Sequence, residues 1–563
     1  MHTLSVRLLT IAVMVPCVHP WVFSQVQQDT TEAVQDTAVI SEEELPDFVP
    51  LKDRWREITP QPFELNVEGD WYDPYNQNVL KGDYPIIGQD IFLVLTLTAD
   101  NFLLGARVPT PSGVSTLNAV SPSFFGSGER LFVNENLKVS VEIYEGQTAF
   151  RPRGWELKVT AVGNLNYANL RENNNVNINV RKGDDRTDNA FAFQELSLEK
   201  HLFDISDRYD FISVKAGIQP FGSDFRRFVF DDFNLGARLF GNAASNRIQY
   251  NVIFLPVLEK ETNSELNTIF DDREQDVLIA NVYIQDFIAL GYTTQLSFHY
   301  NHDKPTTRFD NNGVPVRPPL VGNTQTHDIK AYYVGWAGDG HLGWLNVSHA
   351  FYYVFGKDSF NPLAGQPIDL SAQMAALELS FDQDWMRFKV SGFYASGDDS
   401  PTDNKGKGFD AIVDHPFFAG GPFSYWNSQG IRLLGVNLKN RLSLLPNLRP
   451  SKFEAQANFV NPGVYLANVG FDAELTPKIK AILNVNYLRF VNTSSLQLFL
   501  NQNAIRSDIG VDYSLGIIYR PFLNNNIIWA FGFAGLTPLS GFRDIFDTSQ
   551  TQFSFFTSLI LTY

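Results

Sequence analysis

Along most of this chain apolar side chains recur at every second position. Leu137, Val139, Val141 and Ile143 alternate with Lys138, Ser140 and Glu142, and Trp155, Leu157, Val159 and Ala161 alternate with Glu156, Lys158 and Thr160. A period of two puts each set on its own face of an extended strand. The last stretch repeats the pattern, with Phe553, Phe555, Thr557, Leu559, Leu561 and Tyr563 on one face. No helical pattern accompanies these strands to cover the apolar side. An apolar face backed by one carrying charges of both signs needs two solvents, lipid outside and water inside a closed barrel.

The same alternation predicts strands near Ile91–Ala99, Phe191–Phe203, Phe211–Gln219, Phe233–Phe240, Asn246–Pro256, Asp276–Asp286, Tyr292–Asn301, Asp328–Trp336, Leu342–Phe355, Ser371–Phe381 and Trp385–Ala395. After a long loop, Ser396 to Gly430, it resumes at Ile431–Asn440, Ser451–Val460, Val464–Leu475, Lys478–Phe490, Asp508–Tyr519 and Asn526–Leu536. Tight turns, such as the three residues between Phe381 and Trp385 or Thr476-Pro477, alternate with long loops. The expected fold is all-β, a single large antiparallel transmembrane β-barrel of about 18 strands, within a range of roughly 16 to 20.

Composition supports this. Aromatic residues make up 14%, with 47 Phe and 21 Tyr, as aromatic girdles require. No run of about 18 apolar residues follows residue 24, which excludes transmembrane helices. Residues 1–24 read as a secretory signal, with Arg7, the apolar Leu8 to Val18, and a cleavage site after Val22-Phe23-Ser24. The only cysteine, Cys17, lies in that signal behind Pro16, so neither a lipid anchor nor a disulfide framework is expected. The net charge of −18, or −19 once Arg7 leaves with the signal, argues against nucleic acid as a partner. Residues 25–62 read as an acidic, disordered periplasmic leader, residues 63–90 as a first strand or a segment packed on the barrel mouth, and residues 91–563 as the barrel.

Function would then reside in the inward face. On the alternation, Lys138, Lys158, Lys215, Arg247, Lys330, Arg387, Lys389, Lys478 and Lys480 point into the lumen with Glu142, Glu156, Glu195, Glu199, Glu378, Asp472 and Glu474. Such a wall suits a water-filled path for polar or anionic solutes, and facing rows of opposite sign would orient them. In the long loop, Asp398, Asp399, Asp403 and Asp410 are oxygen ligands of the kind Ca²⁺ takes, at a spacing unlike the EF-hand. No other cofactor is expected. Phe418, Tyr425 and Trp426 either form an exposed sugar-stacking surface, as in a receptor or adhesin, or fold inward to narrow the pore.

No nucleophile elbow, P-loop, dinucleotide fingerprint or zinc-protease motif occurs, so an enzyme is not expected. The nearest catalytic grouping for a rim-located enzyme is His415 near Asp410 and Asp414. His299 should face the lumen and His302 the adjoining loop, which separates the one close histidine pair.

The chain resembles the alginate-export type of outer-membrane barrel and its relatives. The likeness runs across Ile91 to Tyr563. It is strongest in Gly217-Ile218-Gln219-Pro220-Phe221, Asp224-Phe225-Arg226, Leu235-Gly236-Ala237-Arg238-Leu239-Phe240-Gly241 and Ala395-Ser396-Gly397-Asp398-Asp399. The resemblance implies an 18-stranded monomeric barrel in the bacterial outer membrane with a basic lumen for an anionic polysaccharide. The many inward carboxylates depart from that pattern. The ending on Tyr563 is similar to the C-terminal signal that barrel assembly machinery reads, and outer-membrane lipid is the expected surroundings.

Overall fold

The computed structural model describes residues 77–110, 126–146, 152–172, 175–208 and 210–563. The expected signal with Cys17, the acidic leader, and residues 63–76 of the expected first strand or mouth segment lie outside the described residues.

Eighteen antiparallel strands close on themselves. They are β1 (Ile91–Arg107), β2 (Gly126–Glu145), β3 (Trp155–Glu172), β4 (Asp185–Asp204), β5 (Phe211–Gly222), β6 (Asp231–Ala243), β7 (Ile248–Lys260), β8 (Asn267–Ile284) and β9 (Tyr292–Asp303). They continue with β10 (Ile329–Leu342), β11 (Leu345–Asn361), β12 (Gln366–Gln383), β13 (Met386–Ala395), β14 (Val464–Thr476), β15 (Ile479–Phe490), β16 (Asp508–Tyr519), β17 (Ile527–Pro538) and β18 (Gln552–Thr562). Each pairs with its sequence neighbour, and β1 pairs with β18 from Thr98↔Thr562 to Arg107↔Phe553. Closure leaves no long edge unpaired.

Below its β18 partner, β1 continues to Ile91. There residues 77–90 fold against it: Leu95 N–H donates to Leu80 O at 2.7 Å, and the Lys81 ammonium sits 4.0 Å over the Tyr563 ring. The apolar positions of the strands face outward, Leu137 and Leu198 being 55% exposed. Water would not tolerate a continuous belt of this kind, and a bilayer covers it. The molecule is an outer-membrane β-barrel, with short turns at the periplasmic end and the long loops opposite.

Two expected strands are absent from the wall. Ile431–Asn440 forms a small hairpin, Ile431–Leu433 against Val436–Lys439, and Ser451–Val460 is irregular. Both belong to one loop, residues 396–463, that turns into the bore instead of ending at Gly430. Their apolar side chains, including Ile431, Leu438, Phe459 and Val460, are buried against each other and the inner wall. Alternation signals a buried face, and here the burying partner is protein. The loop leaves and re-enters the wall at a neck of Gly397 and Gly463. A Cβ on Gly397 would lie 2.1 Å from Pro462 O, and Gly463 has φ +60°.

Candidate functional site

The inner wall at the periplasmic end carries two banks of charge. On β1 to β6, strand pairing sets Glu156, Glu199, Lys215 and Arg238 side by side in one row. Lys215 Nζ lies 3.1 Å from Glu156 and 3.2 Å from Glu199. Lys158 pairs with Glu195 at 3.1 Å and approaches Glu142 at 3.8 Å. Lys138 pairs with Asp100 at 2.6 Å. Arg153, in the turn below, reaches Glu142 and, at 2.7 Å, Glu156. The second bank, on β12 to β15, joins Lys389 to Asp472 at 2.6 Å, Lys480 to Glu474 at 3.0 Å, and Arg387 to Asp382 at 2.5 Å.

Each of these lysines, with Arg153 and Arg387, therefore stands beside carboxylates, while Arg238 donates instead to Asn251 Oδ1 at 2.7 Å. Half-buried pairs hold both partners in place, while their opposite signs leave little net potential across the wall.

Arg226 links the two sides. It sits in the β5–β6 connection, where Asp224 accepts from the backbone N–H groups of Arg226 at 2.9 Å and Phe228 at 3.0 Å, and from Tyr352 OH at 3.0 Å. That turn folds the connection into the bore. The guanidinium then donates to Glu378 at 2.8 Å, Ser348 Oγ at 3.0 Å and Phe417 O at 3.3 Å.

Above these banks the 396–463 loop crosses the bore. A short helix, α1 (Tyr425–Ser428), has its first N–H groups capped by the wall residue Asp512. This carboxylate accepts from Tyr425 N at 3.1 Å, Trp426 N at 3.1 Å and Ser424 Oγ at 2.5 Å. Trp426 is fully buried and donates through Nε1 to Leu444 O at 2.9 Å. On one side Phe423 stacks on Phe556 of β18 at 5.5 Å, and Tyr425 OH donates to Arg107 O of β1 at 2.8 Å. On the other, Tyr333 OH of β10 donates to Asp410 O at 3.1 Å, and Phe418 packs on Phe228 at 5.5 Å. The loop is thus anchored to opposite walls.

Where the loop meets the outer mouth, a cavity of about 270 Å³ opens between it and the ends of β2, β3 and β7. Arg130, Lys260, Arg441 and Lys452 line it, and each is engaged: Arg130 with Glu172 at 2.7 Å, Lys260 with Asp232 at 2.8 Å, Arg441 with Glu265 at 3.5 Å, and Lys452 with Asp414 O at 2.6 Å. Arg432 also lines it and forms no ion pair within 4 Å among the described residues. Beside it Glu454 is 2% exposed. Burial first, then the nearby Asp310 carboxylate, pushes its pKa up to about 7 against the pull of Arg308.

The wall charges expected from sequence stand as follows. Lys138, Lys158, Lys215, Arg387, Lys389, Lys480, Glu142, Glu156, Glu195, Glu199, Glu378, Asp472 and Glu474 lie on the inner face. Arg247 and Lys478 instead lie exposed in the β6–β7 and β14–β15 turns, where the alternation had already ended. Lys330 is on the outer face, because β10 turns Ala331, Tyr333 and Ala337 inward against the loop. Arg153, Arg226, Arg238 and Asp100 are functional-face charges that the alternation did not single out. Arg226 and Arg238 do fall within the stretches that carried the family resemblance.

Phe418, Tyr425 and Trp426 are buried, which removes the exposed sugar-stacking surface and leaves the inward-folding alternative. Among the acidic loop residues, Asp398 accepts from Ser400 N at 2.9 Å and Lys407 N at 3.0 Å, Asp399 pairs with Lys407, Asp403 caps Lys405 N, and Asp410 meets Asn447 and Asn458 N. They do not converge, and no cluster of three or more His, Cys, Asp or Glu suited to a metal occurs among the described residues. His415 lies 3.7 Å from Asp231, while Asp414 accepts from Ser443 Oγ at 2.6 Å. His302 is within β9 on its outer face, 2.7 Å from Asp328, and His299 is buried on the inner face between Tyr333 and Tyr352.

No protein-family profile matches the chain, and no curated protein matches it. Among solved structures, the chain is similar to OccAB4 of Acinetobacter baumannii, at 9% identity over 84% of this chain and 98% of that one, with a TM-score of 0.44. It is also similar to OccK9 (OpdG) of Pseudomonas aeruginosa, at 10% identity, 84% and 98% coverage and a TM-score of 0.46. A third is a BenF-like porin from Pseudomonas fluorescens Pf-5, at 9% identity, 84% and 98% coverage and a TM-score of 0.43.

Proposed function

We propose that this barrel is a passive outer-membrane channel for small polar solutes, anionic ones included, and that the 396–463 loop sets its bore. The observation that supports it most is the inner wall itself, where paired Lys, Arg, Glu and Asp side chains line the periplasmic half of a closed barrel. Charged side chains that line a bore offer polar contacts along the path of a solute and bias which solutes pass. The Arg432 cavity at the mouth would receive an anionic group before entry. Export of a wide anionic polysaccharide is the weaker alternative, because a folded loop anchored on both walls stands in a polymer's path. The terminal strand ending in Tyr563 would serve recognition by the assembly machinery.

The test is planar-bilayer conductance of the refolded barrel beside a variant in which residues 398–461 are replaced by a short Gly/Ser link. Steady small conductance in the parent and a severalfold larger one in the variant are the expected results. Polyuronate block of the parent at micromolar concentration would turn the assignment toward polymer export. Absence of conductance in both proteins would refute a channel.

A further inference from the structure

The displaced Lys330 leads to a feature of the outer wall. Strand pairing aligns Asp276, His302, Lys330, Lys357 and Asp369 across β8 to β12, and Lys405 continues the row in parallel beside Asp369. All of these strand positions face away from the lumen. The row below is aromatic: Tyr300 stacks on Tyr332 at 5.0 Å, and Tyr332 on Phe355 at 5.3 Å. Tyr332 and Leu342 are about 34 Å apart along β10, or about 26 Å along the bilayer normal at a tilt of ~40°, which matches the apolar band of an outer-membrane barrel. The aromatic row therefore marks the upper edge of the hydrocarbon. The charged row stands at headgroup level on the long-loop side, in the outer leaflet.

Within it, Lys330 and Lys357 are direct cross-strand neighbours on one face. Like charges so placed repel one another. Their carboxylate partners flank them instead of lying between them: Lys330 is 3.5 Å from Asp328, which also holds His302 at 2.7 Å, and Lys357 is 3.6 Å from Asp369. The lysine side chains are 47% and 83% exposed, so these contacts contribute little. To one side Lys304 is held by Asp276 at 3.1 Å and Glu274 at 3.4 Å.

We propose that Lys330 and Lys357 form a site on the outer wall for the phosphate of an outer-leaflet lipid headgroup, whose acyl chains lie on the aromatic row beneath. One phosphate between the two ammonium groups converts their repulsion into two charge-assisted contacts. The carboxylates at either end restrict the site to a headgroup seated centrally over β10 and β11.

The test uses the full barrel purified in detergent and a bisphosphorylated glycolipid of the lipid A type as probe, with retention read by native mass spectrometry. In Lys330→Gln/Lys357→Gln retention should fall roughly tenfold or more, given what each lysine contributes near an anionic surface. Lys330→Arg/Lys357→Arg should retain the lipid. The dephosphorylated glycolipid should bind parent and Gln variant alike, and millimolar inorganic phosphate should not displace the probe. Lys357→Gln alone, at a side chain almost free of packing, provides a variant whose folding is not at risk. Equal retention of the phosphorylated lipid by parent and Gln variants would overturn the site. Displacement by phosphate alone would make it a free-anion site instead of a lipid site. Conductance should be the same in all variants, so the outcome is separate from that of the channel assignment.

Discussion

The barrel wall and the loop inside it are built from the same kinds of residue, yet they use different partners. In β2 and β3 the outward leucines and valines meet lipid and the inward side chains meet water and each other's charges. In the 396–463 loop, apolar residues such as Leu438 and Phe459 are covered by protein on every side, and even charged groups are enclosed. Lys439 is 0% exposed, its ammonium held by the carbonyl oxygens of Trp426, Asn427 at 3.1 Å and Gln429 at 2.8 Å. The wall is held by its closed ladder of backbone hydrogen bonds, the loop by side-chain packing. Removing a side chain should therefore loosen the loop while leaving the wall intact.

The largest break in that comparison comes from Trp426→Ala. The indole is fully buried within the loop, and truncation of such a residue costs about 3–5 kcal/mol. The loop should become susceptible to proteolysis and conductance should rise, while heat-modifiable gel mobility, which reports the closed wall, stays near that of the parent. Loss of the folded-barrel band would show that loop and wall form one cooperative unit.

The second variant acts at the junction of the two regions. Asp512 belongs to the wall by backbone but to the loop by side chain, accepting from Ser424, Tyr425 and Trp426 and, at 3.2 Å, from Asn486. Asp512→Asn keeps the shape and loses the charge that draws these donors, an effect of about 2 kcal/mol for hydrogen bonds to a charged group. Proteolysis of the loop should rise less than in Trp426→Ala. Open-channel noise should increase, and unchanged noise would mean that the cap does not restrain the loop.

The same comparison explains what sequence could reveal. Strands with lipid on one side and water on the other show their polarity at every step, so the periplasmic halves of β2 and β3 and nearly the whole of β14 and β15 are legible, and the inward charges within them follow. On β10 the inner face packs on the loop, and both faces are apolar: Ala331 and Tyr333 inside, Val334 and Trp336 outside. The sign of the alternation is then lost, which is why Lys330 reads as inward. Arg247 and Lys478 fail for another reason, since the alternation was carried past the strand end into a turn. The hairpin at Ile431 to Lys439 has a genuine strand pattern without a place in the wall. Only the length of the loop and its bulky residues hint at that.

The smallest effect sharpens the comparison by titration. Glu454 is a loop carboxyl buried at the mouth cavity, facing Asp310 and Glu259 as well as Arg308 at 3.9 Å and Thr262 Oγ1 at 3.2 Å, with a pKa raised to about 7. A raised carboxyl pKa means that the packed loop binds more protons than the released one, so packing is favoured at low pH and weakens as pH rises through 7. For a released carboxyl near its ordinary value, the ratio of released to packed loop should grow about tenfold between pH 6 and pH 8, or ~1.4 kcal/mol. Hydrogen exchange of the 451–456 segment would read this directly. Glu454→Gln, which stays neutral throughout, should flatten the dependence at the low-pH level, while exchange in β2 and β3 stays constant across the range. A pH response in the wall of equal size would mean that the charged banks, and not the loop, carry the titration.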